Sequence, residues 1–252
     1  QERYPEVYTK TAAGDDSLRV HFECYLVRSQ GRTLVVDTGL GNATSNPSVV
    51  ANIGSGVDGV LISELEKAGF KAEDVDIVFL THLHPDHVGW NVTRSDGNEW
   101  LTFPNARYVA HEADWAVFDT PKDSEIFGYD WWAETVAPLR RLGALDMISR
   151  ETVFTGELTV IPTPGHTPGS MSLIVDSAGE KAFMMGDVFH GPAQVTETDW
   201  VFHYDMDPEI AGETRRGMLD RAEQDNAAIA ICHHSGFGRV IRESGQRYWQ
   251  AL

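Results

Sequence analysis

The segment from Thr81 to His87 concentrates metal-binding side chains, since it reads Thr-His-Leu-His-Pro-Asp-His. It holds the imidazoles of His82, His84 and His87 and the carboxylate of Asp86, ligand types that zinc and similar divalent ions take from proteins. A solvated histidine-rich loop is the weaker interpretation, because such a density of ligand types needs a cause. On a loop after a strand, His82 and His84 would face one side while Asp86 and His87 reach the other. The spacing therefore predicts a site for two adjacent ions.

Three further candidate ligands, His166, Asp187 and His233, each follow a predicted strand. A single histidine is more often a core or surface residue than a ligand. Recurrence at strand ends changes this expectation, because ligands converge where the strands of packed sheets finish at one rim. His234 is the alternative to His233, and only one of the two can face the site if side chains alternate along the strand.

Hydrophobic periodicity predicts the elements that would position these residues. Strands are expected at residues 18–26, 33–37, 76–81, 107–110, 158–161, 171–175, 182–185 and 227–232, with a terminal hairpin at 239–242 and 247–249. Helices are expected at 58–68, across an aromatic-rich stretch at about 113–145, and at 207–224, with a loop from Gly39 to Gly56. The order favours two sheets packed face to face with helices outside. Because no linker-like stretch interrupts the chain, we expect one domain over residues 1–252.

Composition excludes several classes of partner. The chain has 252 residues and a formal net charge of -18, so its surface would repel nucleic acid. No apolar run approaches the roughly 18 residues of a membrane span. Cys24 and Cys232 lie in apolar runs and are expected to be buried small hydrophobes. We expect a cytoplasmic protein, with secretion as an alternative because the chain begins with Gln1.

In order and flanking sequence, these candidate ligands resemble the metal-binding motifs of the metallo-β-lactamase superfamily, and residues 36–39 (Val-Asp-Thr-Gly) extend the resemblance towards the start. The resemblance implies an α/β fold, a four-layer αββα sandwich with its site at one edge between the sheets. It also implies two divalent metal ions, with zinc favoured over manganese, cobalt or iron. The ligands would be His82, His84 and His166 for the first ion, Asp86, His87 and His233 for the second, and Asp187 as a bridge.

Metal ions at such a site would supply the nucleophile. Zinc lowers the pKa of a bound water to about 7, so a hydroxide that bridges two ions is expected to attack a carbonyl or phosphoryl centre. Asp86 is the expected proton acceptor. Asp37 is either a support for one of the histidines or a turn residue at a strand end.

Departures from other branches of the family narrow the chemistry. His84 stands where the oxygen-reducing diiron members carry a glutamate, and true β-lactamases lack the bridging aspartate. Residues 186–190 and Gln194 resemble the lactonase and methyl parathion hydrolase branch, which makes His190 a second catalytic candidate that faces the substrate or supports the site. The aromatic stretch would either line an apolar pocket or pack in the core.

The resemblance therefore implies a dinuclear hydrolase of a small, neutral, partly apolar lactone or ester, similar to acyl-homoserine lactonases. A phosphotriesterase, a glyoxalase II-like thioesterase and, in another class, a mononuclear iron persulfide dioxygenase are the alternatives. Neither nucleic acid nor a membrane is an expected partner, and a homodimer is compatible with the sequence.

Overall fold

A computed structural model describes residues 8–10, 16–18, 20–53, 59–119 and 130–252. The chain folds as two units: a central unit, Cys24–Glu157, and a terminal unit made of Gln1–Glu23 and Leu158–Leu252. The strands are β1 (Tyr8–Lys10), β2 (Asp16–Leu18), β3 (Tyr25–Ser29), β4 (Arg32–Val36), β5 (Ile77–Phe79), β6 (Val92–Ser95), β7 (Asn98–Leu101), β8 (Arg107–His111), β9 (Leu145–Ile148), β10 (Thr152–Thr155), β11 (Leu158–Pro162), β12 (Met171–Ser177), β13 (Glu180–Met184), β14 (Ala228–Ile231), β15 (His234–Glu243) and β16 (Gln246–Ala251). The helices are α1 (Pro47–Ile53), α2 (Leu61–Lys67), α3 (Glu112–Phe118), α4 (Ala137–Arg141), α5 (Ala193–Thr196) and α6 (Pro208–Gln224). These sheets and helices confirm the expected mixed α/β class, and one domain over 1–252 stays a prediction.

The central unit contains a sheet in the order β3-β4-β5-β8-β9. Strands β3 and β4 form an antiparallel hairpin, whereas β4, β5, β8 and β9 run parallel. Parallel strands are commonly covered on both faces and read as continuous apolar runs. This explains why Val78 and Phe79 of β5 are both completely buried. Because β4 and β5 are parallel, the residues that follow β4 and those that follow β5 lie side by side at one edge of the sheet. The residues after β5 form the histidine segment.

The terminal unit carries β11 to β16 side by side in chain order. Neighbours run antiparallel except for β13 and β14, which are parallel. Helix α6 begins as predicted, because the Asp207 side chain accepts a hydrogen bond from the Ile210 N–H and Pro208 occupies the first turn. One face of α6 buries Met218 and Leu219 in the hydrophobic core of this unit.

The structure corrects the prediction of one strand over residues 18–26. Strand β2 ends at Leu18, β3 begins at Tyr25, and residues 20–24 lie outside any strand. The backbone N–H groups of His21 and Glu23 instead donate to the carbonyls of His233 and Cys232. The alternating pattern is real, but its first half bonds to the turn after β14, whereas Tyr25 and Leu26 pair with β4, so the stretch does not form one strand.

Three other predicted segments differ from the structure. The expected loop at 39–56 contains helix α1, which begins at Pro47, a residue well suited to a first helical turn. The helix expected at 58–68 is restricted to Leu61–Lys67 among the described residues. The aromatic-rich stretch is only partly helical: α3, a π-helical turn at Trp132–Val136 and α4 are followed by β9 at Leu145, and residues 120–129 lie outside the described part.

Among the described residues, no helix combines the length and the apolar character that crossing a bilayer requires.

Candidate metal centre

The histidine segment in the central unit follows β5, as the sequence predicts. The imidazoles of His82, His84 and His87 are all buried, and the ring centroid of His82 lies 4.6 Å from that of His84 and 4.0 Å from that of His87. Asp86 is partly accessible, and its Oδ2 lies 3.6 Å from Nε2 of His87. The segment therefore gathers three imidazoles and a carboxylate in a small, largely buried volume.

Asp37, at the end of β4, fixes the start of this segment. Its carboxylate accepts hydrogen bonds from the Thr81 N–H at 2.7 Å, from the Thr81 hydroxyl at 2.8 Å and from His87 Nδ1 at 2.9 Å. A carboxylate can only accept, so Nδ1 of His87 carries the proton and Nε2 presents a lone pair when the ring is neutral. This geometry favours Asp37 as the support of a histidine over the interpretation as a simple turn residue.

Asp114, which the sequence did not single out, and Trp131, from the predicted aromatic-rich stretch, hold the middle of the segment. The buried Asp114 accepts from the Leu83 N–H at 3.1 Å, and Trp131 donates its indole N–H to the Leu83 carbonyl at 3.1 Å. Trp131 and Phe118 are completely buried in the core of the central unit, and the Phe118 ring lies 5.5 Å from that of His84. Within the aromatic-rich stretch at about 113–145, the described aromatic residues thus favour core packing over the lining of an open pocket.

In the terminal unit, three imidazoles converge on one carboxylate oxygen. Oδ2 of Asp187 lies 3.3 Å from Nε2 of His166, 3.2 Å from Nε2 of His190 and 3.0 Å from Nε2 of His233. Ligand atoms of His166, Asp187 and His190 lie within 4.8 Å of one another, which suits a single ion.

The opposite nitrogens of two of these rings fix the tautomer. Nδ1 of His233 lies 2.8 Å from the carbonyl oxygen of His21, and Nδ1 of His166 lies 3.0 Å from Oδ1 of Asp205. Both partners accept only, so both Nδ1 atoms carry the proton, and Nε2 of each neutral ring turns a lone pair towards Asp187. A lone pair and a carboxylate oxygen repel each other at this distance unless a proton or a metal cation lies between them. These residues therefore fit a divalent metal ion of the zinc type.

Burial and neighbouring groups set the charge of this cluster. Burial lowers the pKa of His190 to about 4, although Asp187 opposes the shift, so its ring is neutral at pH 7. Burial by itself would raise the pKa of Asp205, but hydrogen bonds from His166 and from the Phe202 N–H outweigh it and lower the pKa. An ionised Asp205 is therefore the state that accepts the Nδ1 proton of His166.

The loop that carries His166 is held against helix α6. Gly165 has a φ of +131°, and a Cβ at this position would lie 2.3 Å from the backbone nitrogen of Ala211. The carbonyls of Gly165 and His166 accept from the N–H groups of Asp207 and Met206. Only glycine permits both this φ and this close approach, which explains the Gly-His pair.

His233 and His234 occupy different environments. Strand β14 ends at Ile231, a turn contains Cys232 and His233, and β15 begins at His234, so His233 does not directly follow the strand as predicted. His233 is buried beside Asp187, whereas the His234 ring packs edge-on against Trp249 at 5.8 Å. The turn rather than strand alternation separates the two side chains, and the choice of His233 as a ligand stays a prediction.

His190 lies between a phenylalanine and a ligand candidate. Its ring stacks on Phe202 with 3.5 Å between centroids and lies parallel to the His233 ring at 5.4 Å. The side-chain carbonyl of Gln194 accepts from the His190 N–H at 2.7 Å. Phe202 and Asp205 belong to no recognisable sequence motif. The only feature of the sequence that points to them is their position shortly before the start of α6.

Comparisons with known proteins show which family this chain resembles in sequence and fold. The family model described as the metallo-beta-lactamase superfamily matches residues 23–233. The uncharacterized protein YobT of Bacillus subtilis (strain 168) is 27% identical over 240 residues, which cover 91% of this chain and 88% of YobT. The hydrolase AbOPH of the beta lactamase superfamily is 25% identical, with a TM-score of 0.80 over 100% of this chain and 85% of its own. AidC, a dizinc quorum-quenching lactonase solved with a homoserine product, is 23% identical, with a TM-score of 0.74 over 94% of this chain and 80% of its own.

Proposed function

Because the chain is a hydrolase that belongs to the metallo-β-lactamase superfamily, we propose that it opens a lactone or a related ester with two divalent metal ions, zinc by preference. The match to the family model confirms the family and the fold that the resemblance of the sequence motifs implies. The observation that carries the proposal is the convergence of three imidazole nitrogens on Oδ2 of Asp187. Similarity to AidC, a dizinc lactonase whose structure contains a homoserine product, supports the choice of metal and substrate class.

The proposed ligands are those that the motifs indicate. His82, His84 and His166 would hold one ion, Asp86, His87 and His233 the other, and Asp187 would bridge them. The hydrogen bonds of three rings support this assignment. His87, His166 and His233 each donate the Nδ1 proton to a protein oxygen, which keeps Nε2 for a metal. Such fixed tautomers are typical of histidines that bind metal.

When bound, the metal ions would polarise the substrate carbonyl and lower the pKa of a water molecule. The chain's own groups do the remaining work. Asp86, partly accessible beside His87, would accept the proton that the attacking water gives up. His190, held by Gln194 and by its stack on Phe202, would orient the substrate as an uncharged imidazole.

Apolar rings border the histidines of the terminal unit. Phe202 covers His190, and Phe22, about 40% exposed, lies edge-on to His233 at 5.5 Å between centroids. Such surfaces favour the small, neutral, partly apolar substrate that we propose over a charged one. The formal net charge of -18 acts in the same direction, since it disfavours polyanions. The proposal also includes a cytoplasmic location and is compatible with a homodimer.

Phosphotriesters and thioesters are the alternative substrates, and a mononuclear iron persulfide dioxygenase is the alternative of another class. All of them could use the same residue types, so metal content and substrate turnover must be measured together.

The test combines elemental analysis with a substrate panel. The full chain is purified and assayed with an N-acyl-homoserine lactone, an aryl ester, an aryl phosphotriester and S-lactoylglutathione. We expect two ions per chain, fastest turnover of the lactone, loss of activity after chelation, and partial recovery with zinc, cobalt or manganese. Full turnover by metal-free protein would contradict the metal mechanism, whereas one iron per chain with oxygen consumption would favour the dioxygenase.

A further inference from the structure

The guanidinium of Arg215, on the buried face of helix α6, lies within the terminal unit with a relative exposure of only 1%. A buried charge is costly unless hydrogen bonds and opposite charges surround it. Its presence therefore requires acceptors, and their identity shows what the side chain holds in place.

Four acceptors surround the guanidinium. Nε donates to the Val188 carbonyl at 2.9 Å, and Nη1 donates to the carbonyls of Thr198 at 3.0 Å and Trp200 at 2.8 Å. Nη2 lies 3.5 Å from Oδ2 of Asp205, a longer contact than the other three. Each acceptor lies outside the strands, Val188 in a short 3-10 turn and the other three in loops, so Arg215 joins pieces of backbone that no sheet connects.

Two of these segments reach the candidate metal centre. Val188 directly follows Asp187 and stands two residues before His190. Oδ1 of Asp205 holds Nδ1 of His166 at 3.0 Å. The arginine thus contacts both the backbone beside the proposed bridging carboxylate and the carboxylate that orients a proposed ligand.

Gln194 adds a second link between the same loops. Its side-chain nitrogen donates to the Trp200 carbonyl at 3.0 Å, and its side-chain oxygen accepts from the His190 N–H at 2.7 Å. Trp200 therefore receives a bond from Arg215 and one from Gln194, which ties the position of His190 to that of the arginine.

On the premise of the proposed metal function, we propose that Arg215 is a positioning residue, which sets the relative placement of Asp187 and His166 for metal binding and holds His190 beside them. A lysine cannot replace it, because its three donors leave from one atom, whereas the planar guanidinium spreads five donors across a fixed fork. The four acceptors around Arg215 match that fork. An arginine that only filled space in the core would not need them.

The experiment compares Arg215→Lys with Arg216→Lys in the full chain. Arg216 offers a matched control, because it is the next residue of the same helix and pairs with the exposed Asp199. Zinc affinity is measured by competition with a chromophoric chelator, and the geometry of the site by the absorption spectrum of the cobalt(II) form. Thermal unfolding of the metal-free proteins reports stability separately.

We expect Arg215→Lys to bind zinc about 10- to 100-fold more weakly and to change the cobalt spectrum, whereas Arg216→Lys behaves as wild type. Wild-type zinc affinity and spectrum in Arg215→Lys would overturn the inference, even if that variant were less stable. If Arg215→Lys does not fold, Asp205→Asn takes its place, since it keeps the side-chain volume and leaves three carbonyl acceptors for Arg215. A wild-type spectrum and affinity in that variant would equally overturn it.

These readouts need no substrate. A chain that binds zinc but opens no lactone would contradict the proposed function and leave the role of Arg215 intact. If the wild-type chain opens lactones but its Arg215→Lys variant binds zinc normally, the proposed function would stand and the role of Arg215 would be wrong.

Discussion

Replacing Asp37 by asparagine should show how far its carboxylate supports metal binding by His87. Asp37 has a φ of +57°, in the left-handed region, where asparagine is tolerated as readily as aspartate. The two side chains have nearly the same volume. A change in Asp37→Asn therefore reports on side-chain hydrogen bonds, not on backbone strain or packing.

The expected magnitude follows from the three bonds that Asp37 accepts. The carbonyl of an asparagine can keep the Thr81 N–H, and its NH₂ group can donate to the Thr81 hydroxyl, which also accepts. The same NH₂ group then meets Nδ1 of His87, at the position where Oδ2 accepts at 2.9 Å. One bond to a charged acceptor is lost, which should lower the free energy of unfolding of the metal-free protein by about 1.5–3 kcal/mol.

Zinc binding should weaken for a related reason. An amide donor at Nδ1 stabilises the tautomer of His87 with its proton on Nε2, the atom that we propose binds metal. Because metal binding must then displace that proton and restore the original tautomer, we expect about 10- to 100-fold lower zinc affinity.

Urea unfolding of the metal-free protein and chelator competition for zinc measure the two effects. Asp146→Asn is the matched control, since it makes the same substitution in the same unit at an exposed carboxylate paired with Arg107. The control should change stability by no more than about 1 kcal/mol and leave zinc affinity unaltered. Wild-type zinc affinity in Asp37→Asn would refute the tautomer argument, whatever the stability.

Two further predictions use metal content as the readout. Asp187→Ala should lose both ions or bind them weakly, because its carboxylate is proposed to bridge them. His190→Ala should instead keep two ions and alter turnover or substrate preference. Tight retention of two ions by Asp187→Ala would show that the proposed bridge is wrong. His233→Ala should retain one tightly bound ion and turn over substrate slowly, whereas His234→Ala, which removes a ring packed against Trp249, should hold two ions. His203→Ala is the control, since His203 is exposed. Metal loss from the His234 variant alone would make His234 the ligand in place of His233.

Sequence by itself determined the fold class and the family of this protein. The motif from Thr81 to His87 is dense in ligand types, and ligand chemistry depends on residue type more than on environment. Local rules also predicted the start of helix α6, because the capping aspartate and the following proline act within one turn. Family membership confirms the expected fold, and the finer assignment of ligands to ions stays a prediction.

Pattern reasoning failed where two environments shared one periodic stretch. Residues 18–26 alternate as a strand should, yet backbone bonds from His21 and Glu23 to the turn after β14 replace the ladder there. Helix α1 was missed because its sequence, Pro47–Ile53, shows no strong helical period and its polar surroundings resemble a loop.

Only the tertiary structure decided which groups hold the histidines. Asp37 is 50 positions from His87, and Asp205 is 39 positions from His166, so no local spacing connects either pair. Arg215 would be an ordinary helical arginine by sequence, yet folding buries it among loop carbonyls. A histidine's type makes it a potential ligand, but its tautomer depends on the partner of its other nitrogen. That partner is brought into place by packing between distant parts of the chain, which one-dimensional patterns do not record.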